Sequence, residues 1–171
     1  MLFIGLPCQV AAVKKYAETK KVSTDELFTV DLICHGVPSD FYVKEHVQYV
    51  TKGECIDGLS FRDERFMTSK FVFSVDYKGK NYHKYVESDD NFQIGYHNAT
   101  IYRPNCYNCM YASPDRCSDL TIGDFTGLGK VDSVKGNVVE MRYQGISCVL
   151  CNSEKGEKLL TQLEVEGDLS I

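Results

Sequence analysis

"LFIGLPCQVAAVKKYAE", from Leu2 to Glu18, and "LFTVDLIC", from Leu27 to Cys34, decide the fold. The first opens with four apolar or small residues, too few for a leader's apolar core and suited to a buried strand. Its Gly-Leu-Pro-Cys turn leads into a helical pattern, with Val10, Val13 and Ala17 on one side and Lys14, Lys15 and Glu18 on another. Leu27–Cys34 is a second, mostly apolar strand. "HGVPSD" punctuates it, and "DFYVKEHVQYV" is a second helix with Ser39 as the expected N-cap. Strand, helix, strand, helix is the pattern of a parallel α/β sheet.

Downstream the character changes. "GLSFRDE" and "KFVFSVDYKGKNYHKYVES" alternate apolar and polar residues, and Lys78-Gly79 lies between two alternating runs, so a β-hairpin is expected there. "DDNFQIGYHNA" reads as a short helix, the cysteine-rich stretch as a loop, and "DLTIGDF" as a strand ending at a Gly-Asp turn. "VDSVKGNVVEMRYQ" (131–144) is ambiguous. "GISCVLCN" reads as a strand and "SEKGEKLLTQLE" as a helix. The fold class expected is α/β: a parallel βαβ start, an inserted antiparallel hairpin and a cysteine-rich loop. The 171 residues suit a single domain, 1–171. A chain rarely begins inside a buried strand, so this one is expected to be a piece of a larger protein, truncated at its N-terminus and also at its C-terminus.

Net charge is −5 and no Lys/Arg block occurs, which argues against nucleic-acid binding, since phosphate neutralisation needs clustered basic charge. No apolar run approaches the ~20 residues of a membrane span. A cytoplasmic location is expected. In that setting eight cysteines point to metal or redox chemistry before disulfides.

Two CxxC pairs differ in kind. Cys148 and Cys151 lie in an alternating strand, where side chains three apart face opposite ways; they read as two buried packing residues. Cys106 and Cys109 lie in turn chemistry, with Pro104, Asn105 and Asn108 around them, so both sulfurs can converge on one ion. Cys8 follows the first strand and starts the first helix, and Cys34 ends the second strand. Both then lie at the carboxyl edge of a parallel sheet, where open α/β folds place ligands. A helix N-terminus also favours the thiolate that binds metal. Cys8, Cys34, Cys106 and Cys109 thus form a four-thiolate set, with Cys117 a rival for one place and Cys55 structural or incidental. Four thiolates suit zinc as well as a 4Fe–4S cluster; a single convincing knuckle leans toward the cluster. His35 can orient a cofactor or simply bond the backbone of its turn. Gly123 and Asp124 read either as an ordinary turn or as a close backbone approach to a ligand with Asp124 on a polar group. His46 falls mid-helix, and His83 and His97 read as surface residues.

"FIGLPCQVAAVKKY", "DLICHGVPS", "FRDER", "YRPNCYNCMYA", "DLTIGDF" and "GISCVL" occur in an order that resembles the coenzyme F-420 (8-hydroxy-5-deazaflavin) hydrogenase/dehydrogenase beta-subunit family, specifically its C-terminal domain, from about Leu2 to about Leu160. The resemblance implies an iron–sulfur flavoprotein oxidoreductase with FAD and a 4Fe–4S cluster, passing electrons between the cluster, the flavin and an external donor or acceptor. Coenzyme F-420 is a candidate substrate, and a redox partner protein or ferredoxin-like domain a candidate partner. Carried over position by position, the cluster ligands are Cys8, Cys34, Cys106 and Cys109. Two departures stand out: Leu6 replaces the family's usual threonine before Pro-Cys, and Thr126-Gly127 stands where Trp-Gly is common. The alternative reading is a non-catalytic, zinc-stabilised binding or scaffold module. A dithiol oxidoreductase working through Cys106 and Cys109 lacks the expected βαβ setting around its CxxC.

Overall fold

The computed structural model describes residues 1–66, 72–86, 89–124 and 147–166. Its elements run β1 (Leu2–Gly5), α1 (Pro7–Lys20), β2 (Phe28–Leu32), α2 (Asp40–Thr51), β3 (Gly58–Ser60), β4 (Val72–Tyr77), β5 (Lys80–Tyr85), α3 (Asn91–His97), α4 (Pro104–Tyr107), β6 (Leu120–Asp124), β7 (Ser147–Cys151) and α5 (Glu154–Glu166). No described helix is long and apolar enough to cross a membrane. The chain divides into two compact units, one made of Met1–Cys34 with Met110–Ile171 and the other of His35–Cys109.

The first unit carries a four-stranded sheet in the order β1-β2-β6-β7. β1 and β2 run parallel, with Leu2 opposite Phe28 and Gly5 opposite Asp31. β6 continues parallel, with Val30 opposite Leu120, and β7 closes antiparallel, with Asp124 opposite Ser147. The βαβ start read from the sequence is therefore present. Its crossover helix begins with Pro7 at the first helical position, where a missing N–H costs nothing. Leu6, the N-cap, has no side-chain oxygen; Gln9 supplies one from inside the helix, its Oε1 accepting the Leu6 N–H at 2.8 Å. The helix stops at Lys21, in the left-handed conformation (φ 55°). Val10, Ala17, Leu27, Val30 and Leu120 supply buried apolar side chains.

The second unit holds the antiparallel sheet β3-β4-β5. The expected hairpin turns at Lys78 and Gly79, both with positive φ (47° and 69°), as a type I′ turn requires. Phe73, Val75 and Val86 form its buried cluster, with Val47 and Val50 of α2 packed against them. Ser39 caps α2, its side chain accepting from Phe41 N, and Asp90 caps α3, accepting from Gln93 N.

Several expectations are corrected. The second strand ends at Leu32, two residues before Cys34. Cys106 lies in a single helical turn rather than an open loop, because Pro104 sits at the first helical position. Cys148 and Cys151 do lie on a strand, but Cys151 is exposed and Cys148 only half-buried, so neither is a buried packing residue. The 131–144 stretch and Thr126-Gly127 lie outside the described residues.

Candidate functional site

The carboxyl edge of the first unit's sheet follows from its register. Gly5, Leu32 and Asp124 end three parallel strands there. Cys8 stands three residues past Gly5 as the second residue of α1, with an exposed side chain. Cys34 stands two residues past Leu32 and is half-buried. Gly123 and Asp124 lie inside β6 at the same edge, not in a turn. A Cβ on Gly123 would stand 2.8 Å from Ile33 Cδ1, so within this unit its small size serves the approach of Ile33.

Beneath that edge lies a polar network the sequence did not disclose. Asp31, on β2, is fully buried, and its Oδ1 accepts from Arg116 Nη2 at 2.8 Å and from Thr121 Oγ1 at 2.6 Å. Arg116 is nearly buried too and spends its remaining donors on Leu32 O (3.2 Å), Thr121 Oγ1 (3.2 Å), Tyr111 O and Ser113 O (both 3.4 Å). One guanidinium therefore folds the segment that follows the CxxC and ties it to the strand end that precedes Cys34. Asp31 Oδ2 has no hydrogen-bond partner among the described residues. Asp119 accepts from Thr29 N, Thr29 Oγ1 and Ser153 Oγ, at 2.7–2.8 Å. Burial pushes its carboxyl up, but these hydrogen bonds outweigh it and hold the pKa below the ordinary value. Cys117, the rival ligand, is half-buried. Its thiol donates to Pro7 O at 3.4 Å, and its carbonyl accepts from Lys14 Nζ at 2.6 Å.

In the second unit, the loop after Cys34 and the segment carrying the CxxC are fastened together. His35 Nδ1 is hydrogen-bonded to Tyr102 OH. Val37 O accepts the Arg103 N–H at 2.9 Å and lies 3.9 Å from Cys106 Sγ. Pro38 and Tyr102 form an isolated β-bridge. Cys106 and Cys109 are both half-buried. Around His35 stand the rings of Tyr96 at 4.8 Å, Tyr102 at 5.8 Å and His97 at 6.2 Å. Desolvation and the neighbouring His97 push the His35 pKa below its ordinary value. His97 and His83 are exposed, as read from the sequence, although His83 also stacks on Phe66 at 4.3 Å.

His46 is more than a mid-helix residue. Its Nε2 stands 2.7 Å from Asp90 Oδ2, which also accepts from Tyr82 OH, and its ring stacks on Phe92. Asp90 is fully buried. Burial opposes its charge, yet the bonds from His46, Gln93 N and Tyr82 leave its pKa below the ordinary value.

All eight cysteines are thiols, as a metal-binding set requires. Each unit contributes two of the four sequence-chosen ligands, Cys8 and Cys34 from one, Cys106 and Cys109 from the other. Among the described residues no group of three or more His, Cys, Asp or Glu side chains is arranged to hold a metal ion. Cysteine thiolates are the donor type that zinc and iron–sulfur clusters take.

Tyr102, Arg116 and Asp31 were missed by sequence reasoning. A tyrosine four residues before a cysteine carries no signature of a bond to residue 35, and a buried aspartate inside an apolar strand looks like a surface position. The one available signal was a charged residue in the middle of "TVDLI".

No curated protein matches this chain. A family model does, over residues 1–171. The chain belongs to the family described as the C terminus of the coenzyme F420 hydrogenase/dehydrogenase beta subunit, a family found in oxidoreductase complexes.

Proposed function

We propose that this chain is the redox domain of an iron–sulfur flavoprotein. Cys8, Cys34, Cys106 and Cys109 hold a 4Fe–4S cluster, and His35, Gly123 and Asp124 contribute to the binding of FAD. A deazaflavin such as coenzyme F-420 is the candidate substrate, and a ferredoxin-like domain or redox protein the partner, in the cytoplasm. The observation that supports the reading is the placement of Cys8 and Cys34 just past the ends of the neighbouring parallel strands β1 and β2 in one unit, with the Cys106 and Cys109 pair three residues apart in the other.

The cofactors would supply one- and two-electron chemistry when bound. The protein's own work is different. The four thiols would bind as thiolates and so lose their protons on loading. Cys8 stands in the first turn of α1, the end of a helix whose dipole favours a bound anion. The Tyr102 bond holds the His35 ring in one orientation. Arg116 holds the segment after Cys109 against β2.

Anaerobic purification of the full-length protein, with iron, sulfide and flavin assays, tests the proposal. The expected result is about four iron and four sulfide per chain, with the brown colour of such a centre. Substituting serine at each of the four cysteines removes it, and Cys117→Ser leaves it in place. A colourless protein with one zinc per chain would replace the proposal with a zinc-stabilised module.

A further inference from the structure

We propose that the groove between β3 and α2 is a docking site for an extended segment of a partner polypeptide, which adds to the sheet beside β3 and lays apolar side chains against α2. All the residues concerned lie inside the second unit, and the proposal does not depend on the cofactor reading. The sheet order β3-β4-β5 leaves β3 at an edge among the described residues. The hairpin decides which of its backbone groups are free. The two-residue turn at Lys78-Gly79 makes Tyr77 and Lys80 a hydrogen-bonded pair, so Tyr77, Val75 and Phe73 turn their N–H and C=O groups toward β5. Asp76 and Ser74 then turn theirs toward β3, and Asp76 O accordingly accepts the Asp57 N–H at 2.7 Å. Gly58 and Ser60 stand opposite Asp76 and Ser74, so their backbone groups are used inside the sheet. Leu59, between them, points its N–H and C=O to the open edge. An extended backbone offers the matching acceptor and donor, which a helix keeps for its own bonds.

The side chains agree with the backbone. Leu59 stands opposite Val75, on the face that packs against Val47 and Val50 of α2. Beside it runs a groove of about 320 Å³, with Ile56 and Leu59 on one side and Val43 and Val47 on the other. Ile56 and Leu59 are 42% and 41% exposed, so this is apolar surface left open to water. The charged side chains that line the groove, Lys44 and Glu54, are already engaged, Lys44 with Asp40 at 2.7 Å and Glu54 with Lys78 at 2.6 Å. Its charges cancel, and the complementary occupant is uncharged; a charge brought into it would lose water and gain no counter-ion. Side chains alternate along a strand, so every second residue of the added segment enters the groove. The partner segment therefore carries apolar residues at alternate positions. A second copy of this chain fits less well, because its β3 offers only Gly58–Ser60 and brings its own α2 with it.

Synthetic peptides added to the full-length protein test this. In one set threonine alternates with valine, leucine, isoleucine or phenylalanine; control peptides carry glutamate or lysine at the alternate positions. Backbone amide hydrogen exchange is the readout. At about ten times its Kd, at least one apolar peptide should slow exchange at the Leu59 amide by about tenfold, and the charged controls should leave it unchanged. Leu59→Pro removes the outward N–H without breaking the ladder, as edge positions permit, and should weaken binding about three- to tenfold, the share of one hydrogen bond. Val43→Glu puts a charge on the α2 wall and should weaken binding about tenfold or more; as a half-buried helix position it serves if the proline variant does not fold. No protection of the Leu59 amide by any peptide would overturn the proposal. So would equal binding of the charged controls, or binding that neither variant weakens. Protection of α2 without protection of Leu59 would overturn the strand addition, because the occupant would then not be extended along β3. A dimer in sedimentation velocity that Leu59→Pro dissolves would assign the edge to a second copy of the chain instead.

Discussion

Replacing Arg116 with methionine should be the most damaging single change in the first unit outside its apolar core. The guanidinium meets Asp31 at 2.8 Å, with side-chain exposures of 9% and 0%. Methionine fills similar volume, so the packing loss is small and the electrostatic loss dominates. Among the described residues Asp31 would keep only the Thr121 hydroxyl on Oδ1, and Oδ2 has no partner there already. Removing one member of a buried pair leaves an uncompensated charge, which costs about 3–5 kcal/mol. The loss of four further hydrogen bonds, from Leu32 O, Tyr111 O, Ser113 O and Thr121, falls largely on carbonyls that water can serve instead. A total of about 4 kcal/mol is a large share of the ~5–15 kcal/mol that holds a domain folded. With a urea m-value of about 2 kcal/mol/M, the unfolding midpoint should fall by about 2 M. The double variant Arg116→Met with Asp31→Asn removes both charges and should recover more than half of that loss. A drop below about 1 kcal/mol in Arg116→Met would refute the reasoning, because that is the scale of a solvated surface pair. A double variant no better than the single one would refute the charge argument in particular.

Three other outcomes follow from particular sites. Gly36→Ala should cost about 2–4 kcal/mol in denaturant unfolding, from backbone strain at φ 138° and from displacement of the buried Tyr102 ring; a loss under about 0.5 kcal/mol, on the scale of a surface change, would show that the ring moves freely. Asp90 is held below the ordinary carboxylate range although burial opposes it, so its contribution is present above about pH 4 and is lost as pH falls through its lower folded-state pKa. Acid unfolding followed by circular dichroism should therefore be shallower below about pH 4 in Asp90→Asn, and parallel curves for the two proteins would contradict this. Cys148→Ala and Cys151→Ala should leave iron content unchanged and cost at most about 1 kcal/mol each, since one side chain is half-buried and the other exposed; loss of iron in either would place a ligand on β7.

The sequence by itself determined the features that depend on neighbours along the chain. The period of Val10, Val13 and Ala17, the Pro7 start, the Ser39 cap and the Lys78-Gly79 turn are local choices, and local backbone preferences decide them. From the strand–helix–strand order came the parallel pairing, and from that pairing the placement of Cys8 and Cys34 at one sheet edge. Tertiary structure alone decided the contacts between distant segments. Asp31 and Arg116 are 85 positions apart, and His35 and Tyr102 are 67 apart. No periodicity links such residues, because they lie far apart along the chain, three of the four outside any helix or strand, and they meet only when loops close. Burial of the β7 cysteines was misread for the same reason. Alternation along a strand shows which residues share a face, and the layer that packs on that face decides whether they are covered.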